Sequence, residues 1–122
     1  MARKNSKREP VLKPRFRVVC GENIALGPGK VELLALLQET ESLNEAARRL
    51  DMSYMRGWKL VKMMNACFRE PLVVAKRGGQ TGGGMQLTDT GRQALALYQK
   101  MESTALRSTA PHWRQLRGLL RT

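Results

Sequence analysis

The chain has 122 residues, a formal net charge of +12 and an apolar fraction of 42%. This length fits one domain with a modest core, and no apolar run is long enough to cross a membrane. Two cysteines and one histidine are too few for a disulfide framework or a zinc cluster. The excess of positive charge indicates a polyanionic partner, with nucleic acid first and an acidic membrane surface second.

Half of the net charge lies in the first 17 residues, which carry seven Lys or Arg and a single acid, Glu9. Pro10 and Pro14 disfavour a helix there, so we expect residues 1–14 to form a flexible basic arm. Such an arm is either a solubilising tail or a contact to nucleic acid. The sequence leaves both alternatives open.

The first folded segment is predicted to hold one strand and one helix. Residues 15–20 alternate at their start and are followed by a glycine, which is typical of a short strand. Residues 27–29, Gly-Pro-Gly, predict a turn whose proline suits a helix entrance. Over residues 30–39 the apolar side chains recur at helical spacing and predict a helix with a wide buried face.

Two short helices follow, with about three residues between them. Ser42 and Glu45 have the spacing of a capping box, at the start of a helix that should run to Leu50. Ser53 is placed to cap the next helix, which we expect to end near Cys67. Two helices joined by so few residues are typical of a helix-turn-helix.

A hairpin is predicted after these helices. Residues 71–74 and 85–87 have the apolar pattern of two short strands. The basic, glycine-rich residues 76–84 between them predict a long, flexible tip. A nucleotide site is excluded here, because a P-loop requires Lys and then Ser or Thr after its last glycine.

The C-terminal part is predicted to contain two helices. Thr88 should cap a helix over residues 89–106, and Pro111 should interrupt helical structure. A last short amphipathic helix is expected over residues 113–120, with arginines on its polar side.

This order of elements predicts a mainly α fold with a small β-hairpin wing, a winged helix-turn-helix with a long C-terminal helix. We divide the chain into the arm over 1–14, a DNA-binding domain over 15–88, and C-terminal helices over 89–122 for dimerisation. The alternative for the last helix is that it folds back on its own core.

A set of short motifs in this region is shared with a known family. The motifs are Gly27-Pro28-Gly29-Lys30, Leu33-Leu34, Ser42, Ala46-Ala47, Leu50, Met52-Ser53-Tyr54, Trp58, Met64-Asn65, Pro71-Leu72-Val73, the wing glycines, and Leu87-Thr88 with Gly91. Over about residues 15–101 the chain resembles the N-terminal DNA-binding domain of ModE-type molybdate-dependent transcriptional regulators. The helix-turn-helix and the Leu-Thr-x-x-Gly element also resemble LysR-type regulators.

The resemblance implies DNA binding by a homodimer that pairs through the helix after the wing. ModE-type regulators carry molybdate-binding domains after this unit, and the chain ends about twenty residues past the matching region. We therefore expect no sensor domain and no molybdate binding by this chain. The side chains expected to form the dimer surface are Ala94, Leu97, Tyr98, Met101, Ala105, Trp113, Leu116 and Leu120.

The DNA contacts are expected mainly on the second helix of the helix-turn-helix and on the glycine-rich loop. A recognition helix reads bases near its N-terminus, so Arg56 is the best candidate for a guanine contact. Lys59 and Lys62 lie further along and suit phosphates, whereas Trp58 has the spacing of a core residue. The full expected set is Ser42, Ser53, Tyr54, Met55, Arg56, Lys59, Lys62, Lys76, Arg77, Gly78, Gly79, Gln80 and Thr81. The alternative is an ordinary solvated surface.

We therefore predict a sequence-specific transcriptional regulator that binds double-stranded DNA. No catalytic constellation is present, so we expect no enzyme, no cofactor and no metal. The N-terminus lacks the apolar stretch of a secretory signal, and we expect a bacterial, cytoplasmic protein without a membrane partner. The alternatives are a low-specificity architectural DNA-binding protein and an interaction module that docks a separate sensor chain.

Overall fold

The computed structural model describes residues 9–76 and 84–121. Within these ranges the chain forms four helices and two small antiparallel sheets. The elements in chain order are β1 (Val18–Cys20), β2 (Asn23–Leu26), α1 (Pro28–Thr40), α2 (Leu43–Arg49), α3 (Tyr54–Cys67), β3 (Val73–Ala75), β4 (Met85–Leu87) and α4 (Asp89–Arg117). The mainly helical fold class is therefore confirmed.

The first sheet differs from the sequence-based expectation. The strand expected over residues 15–20 is shorter, and it pairs with β2, which was not predicted, so that Val19 lies opposite Ile24. Gly21 turns the chain between them with φ +64°, a left-handed conformation that glycine adopts without steric cost. The sequence of Asn23–Leu26 gives only a weak signal for a strand. The segment has four residues, and only Ala25 and Leu26 are buried.

Helix α1 supplies the centre of the core. It begins at Pro28, as the Gly-Pro-Gly motif predicts, and ends where Glu41 adopts a left-handed φ of 53°. Leu33, Leu34 and Leu37 are fully buried.

Two serines begin α2 and α3. The hydroxyl oxygen of Ser42 accepts the Glu45 N–H at 3.1 Å, and that of Ser53 accepts the Arg56 N–H at 3.1 Å, so both predicted caps are confirmed. The other half of the capping box, a hydrogen bond from the Ser42 N–H to the Glu45 side chain, was predicted wrongly. The Ser42 N–H donates to Thr40 Oγ1 instead, and the Glu45 carboxylate binds two arginines.

The hairpin of β3 and β4 is held against α3 and α4. The side chain of Asn65 on α3 bonds to β3: its Oδ1 accepts the N–H groups of Leu72 and Val73, and its Nδ2 donates to the Val73 carbonyl at 2.9 Å. On α4, a Cβ at Gly91 would lie 2.1 Å from the Leu72 carbonyl oxygen. Only glycine permits this approach, which explains the Leu-Thr-x-x-Gly element.

The C-terminal region is one helix, so the expectation that Pro111 interrupts it is wrong. α4 continues through Pro111 to Arg117. A proline removes one hydrogen bond, here to the Arg107 carbonyl, and crowds the preceding turn. The helix continues because the residues from Arg92 to Ala110 contain no other helix breaker and because Pro111 itself is exposed.

The part of the predicted arm that the structure describes lies against α4. Residues 9–17 alternate between exposed and half-buried. Glu9 forms an ion pair with Arg117 at 3.7 Å, and the Phe16 carbonyl accepts the Tyr98 hydroxyl at 2.6 Å. The segment therefore runs antiparallel to the second half of α4. Residues 1–8 of the predicted arm fall outside the described residues. Among those described, no helix is both long and apolar enough to span a bilayer.

Candidate nucleic-acid interface

The exposed face of α3 holds five of the eight predicted DNA contacts that the structure describes. Tyr54, Met55, Arg56, Lys59 and Lys62 are all exposed. The sequence of α3 contains no acid. Within the described residues none of its three cations forms an ion pair. This face is therefore a row of available positive charges.

The buried side of α3 shows which of these residues point outward most directly. Gly57, Val61 and Met64 are buried, and one residue step rotates the helix by about 100°. Lys59 lies nearly opposite this buried side, Lys62 lies between that opposite side and one flank, and Arg56 lies on the other flank. Arg56 is at the N-terminal turn, so its long side chain still extends from the end of the helix.

Trp58 is not the core residue that its spacing predicted. It is 37% exposed, because it lies one residue, or about 100° round the helix, from the buried Gly57 and so on a flank of the buried side. The Lys62 ammonium lies over the Trp58 ring, 4.6 Å from its centroid. This is the geometry of a cation–π contact.

The cations of α2 are engaged, in contrast to those of α3. Glu45 binds Arg48 at 2.5 Å and Arg49 at 2.9 Å, and Arg49 also binds Glu39 of α1 at 2.6 Å. The hydrogen bonds from Arg48 and Arg49 lower the pKa of Glu45 to about 2. Hydrogen bonds to Glu45 and Glu39 in turn raise the pKa values of both arginines. All of these groups are at the surface.

Ser42 lies in a shallow crevice between the starts of α2 and α3. The crevice is lined by Ser42, Asn44, Glu45, Ala47, Arg48, Met52 and Tyr54. Because the Ser42 hydroxyl oxygen already accepts the Glu45 N–H, the hydroxyl hydrogen is what Ser42 can offer to a ligand.

The base of the second hairpin places Lys76 against Glu41. The Lys76 ammonium lies 2.6 Å from the Glu41 carboxylate, and the Lys76 N–H donates to the Gly84 carbonyl. The other predicted loop contacts, Arg77, Gly78, Gly79, Gln80 and Thr81, lie outside the described residues.

The predicted dimer surface is only partly exposed. Tyr98 is 1% exposed and belongs to the core, so its ring is not accessible to a partner. Leu97, Met101, Leu116 and Leu120 are exposed, whereas Ala94, Ala105 and Trp113 are half-buried. Phe16, Leu97, Met101 and Ala105 line an apolar groove on α4, together with Lys100 and Thr104.

Three residues at this site were not anticipated in their roles. Asn65 ties α3 to the hairpin, Glu41 binds Lys76, and Trp58 contacts Lys62. Asn65 is part of the shared Met-Asn motif, which is a signal that could have indicated a backbone-binding amide. The pairing of residues 41 and 76 has no local sequence signal because the partners are 35 positions apart.

Comparison with known proteins relates part of the chain to molybdenum-linked proteins of bacteria. A molybdenum transport protein ModE of Azotobacter vinelandii is 41% identical over 78 residues, which cover 64% of this chain and 29% of that protein. The molybdenum-pterin-binding protein MopB of Rhodobacter capsulatus is 38% identical over the same shares. The DNA-binding transcriptional dual regulator ModE of Escherichia coli is 31% identical over 71 residues, or 58% of this chain and 27% of that protein.

The chain thus spans less than a third of the length of these relatives. None of their names describes an enzyme. No protein-family model matches the chain.

Proposed function

We propose that the chain is a winged helix-turn-helix module that binds double-stranded DNA and regulates transcription, related to the ModE-type regulators. The observation that carries the proposal is the exposed face of α3, where Arg56, Lys59 and Lys62 are not neutralised by described acids. The name of the Escherichia coli relative, a DNA-binding transcriptional regulator, supports the same reading.

In this proposal α2 and α3 form the helix-turn-helix, and α3 enters the major groove. Residues near the start of a recognition helix read base edges, which assigns the base contacts to Tyr54, Met55 and Arg56. Lys59 and Lys62 then meet phosphates, which fix the register of the helix without reading sequence.

The hairpin of β3 and β4 is the proposed wing. To bind a phosphate of the DNA, the Lys76 ammonium must first leave the Glu41 carboxylate. Exposed ion pairs are worth only about 0–1 kcal/mol, so this exchange costs little. The predicted contacts of residues 77–81 remain part of the proposal.

We further propose a homodimer, because a dimer doubles the contacts and reads two half-sites. The exposed apolar side chains of α4 and its groove with Phe16 support a second copy as the partner. Tyr98 is removed from the proposed surface, and Leu97, Met101, Leu116 and Leu120 form its exposed part.

The test is binding to labelled promoter DNA from beside the gene that encodes the chain, measured by fluorescence anisotropy. A scrambled duplex of equal length and several salt concentrations serve as comparisons. We expect the promoter to bind about 10³-fold more tightly or better, and Lys59→Ala with Lys62→Ala to weaken both duplexes. Arg48→Ala is the matched control because Arg48 is paired with Glu45.

Other outcomes would replace the proposal. Equal affinities with a steep salt dependence indicate an architectural protein that uses charge alone. Weak binding even at low salt, with a stable complex to a separate chain on pull-down, indicates the interaction module. The expectation that molybdate does not bind stays a prediction, and calorimetric titration of the chain with molybdate tests it.

A further inference from the structure

Trp58 and Lys62 form a pair whose role the proposed function does not yet include. They are four residues apart, so they are neighbours on one side of α3, and the ammonium lies 4.6 Å from the ring centroid. A tryptophan that is 37% exposed contributes less to the core than its size allows.

The ring holds Lys62 in a different way from a carboxylate. An aromatic face attracts the cation through its quadrupole but carries no net charge. The positive charge of Lys62 therefore remains available to an anion. Lys76 shows the contrary case, because its ammonium is paired with the Glu41 carboxylate at 2.6 Å.

Holding the side chain also lowers the entropic cost of binding. A free lysine loses much rotamer freedom when it is fixed on a partner, and contact with Trp58 removes part of that freedom in advance. Lys62 is exposed, three residues after Lys59 and on the side of α3 away from Gly57, Val61 and Met64, and the proposed function assigns both lysines to DNA.

We propose that Trp58 is a positioning residue that presents Lys62 to a phosphate of double-stranded DNA. The inference rests on the proposed function and adds a residue to it. It does not require Trp58 to touch a base. It requires that the effect of Trp58 on DNA affinity pass through Lys62.

A double-mutant cycle tests the proposal, with affinity for the promoter and the scrambled duplex measured at several salt concentrations. Trp58→Leu should weaken both duplexes about threefold, because an unrestrained Lys62 then loses more rotamer freedom when it binds a phosphate. Lys62→Met should weaken both and reduce the salt slope by about one ion. In the Lys62→Met background, Trp58→Leu should have no further effect.

Two controls separate positioning from folding. Trp58→Phe keeps an aromatic face with weaker attraction for a cation, so its affinity should fall between those of the wild type and Trp58→Leu. Met63→Ala removes another exposed apolar side chain from α3 and should leave affinity unchanged. Thermal unfolding of each variant shows whether the helix is intact.

A readout in the free protein does not depend on DNA. The ring current of Trp58 should shift the ε-methylene protons of Lys62 upfield in the NMR spectrum, and Trp58→Leu should abolish the shift. Additive losses from the two substitutions, or unshifted Lys62 protons, would overturn the inference while leaving the proposed function intact. Failure of the wild type to bind either duplex at low salt would overturn the proposed function and the inference together.

Discussion

Helices α2 and α3 pack together and both carry exposed cations, but only one of them leaves its cations available. On α2, Arg48 and Arg49 share Glu45. On α3, the cations form no ion pair with the described residues. The difference arises because α2 has an acid three residues after its N-cap and α3 has none. The cations of α2 therefore bind acids of α1 and α2, whereas those of α3 are not neutralised by a described acid.

The comparison depends on the close packing of the two helices at Gly57. A Cβ at this position would lie 3.1 Å from Leu43 Cδ1 and 3.5 Å from the Ala47 Cβ. Gly57→Leu should force the helices apart and lower the free energy of unfolding by about 3 kcal/mol, as overpacking does in a dense core. Urea denaturation measures the loss. Gly57→Ala is the control and should cost much less, and equal stability of the leucine variant and the wild type would contradict the packing.

Arg56 tests whether the N-terminal turn of α3 reads sequence. Arg56→Ala should cost about 1–3 kcal/mol on the promoter and relax preference at one base pair. Anisotropy titrations against a panel of single-base variants of the promoter measure both effects. An equal loss on promoter and scrambled duplexes would reduce Arg56 to a phosphate contact.

Lys59 and Arg49 compare an available cation with an engaged one. Lys59→Ala should weaken binding to every duplex several-fold at low salt and reduce the salt slope by about one. Arg49→Ala should change affinity and slope much less, because Glu39 and Glu45 already bind its guanidinium. If both substitutions have the same effect on the slope, the distinction between the two helices is wrong.

The smallest expected effect is a dependence of stability on pH, which arises from the ionisation of Glu45. Arg48 and Arg49 lower its pKa from 4.5 to about 2, so folding favours the charged carboxylate. Its contribution is fully present above pH 4.5 and is lost as the pH falls towards 2. The difference in stability between the Glu45→Gln variant and the wild type should therefore become smaller as the pH falls from 4.5 towards 2. Thermal unfolding at several pH values measures this difference. A gap that does not change with pH would contradict the ion pairs.

Local sequence predicted the parts of the fold that depend on neighbours along the chain. The serines at 42 and 53 cap their helices because a hydroxyl three residues from a free N–H needs no distant partner. The same locality accounts for the helix start at Pro28 and for the antiparallel pairing of β3 with β4, which follow each other in the chain. The cations of α3 were also assigned correctly to an exposed face, since helical spacing determines which residues share a side.

The failures concern partners that are distant in sequence or chosen among several neighbours. Glu45 was expected to reach back to its N-cap, but arginines three and four residues ahead offer a charged partner. Trp58 was expected in the core, yet it lies on a flank of the buried side of α3 and contacts Lys62. Tyr98 was assigned to a partner surface, whereas the N-terminal segment covers it and accepts its hydroxyl hydrogen bond.

The sequence by itself determined the helical class, the two capped helices and the excess of positive charge, because periodicity, capping and composition are local or additive properties. Only the tertiary structure decided that Lys76 is paired with Glu41 and which apolar side chains are covered. Those outcomes depend on contacts between residues far apart in the chain, such as Glu41 with Lys76 and Phe16 with Tyr98. Spacing within one helix determines the side on which a residue lies, and packing between elements determines which residues it contacts.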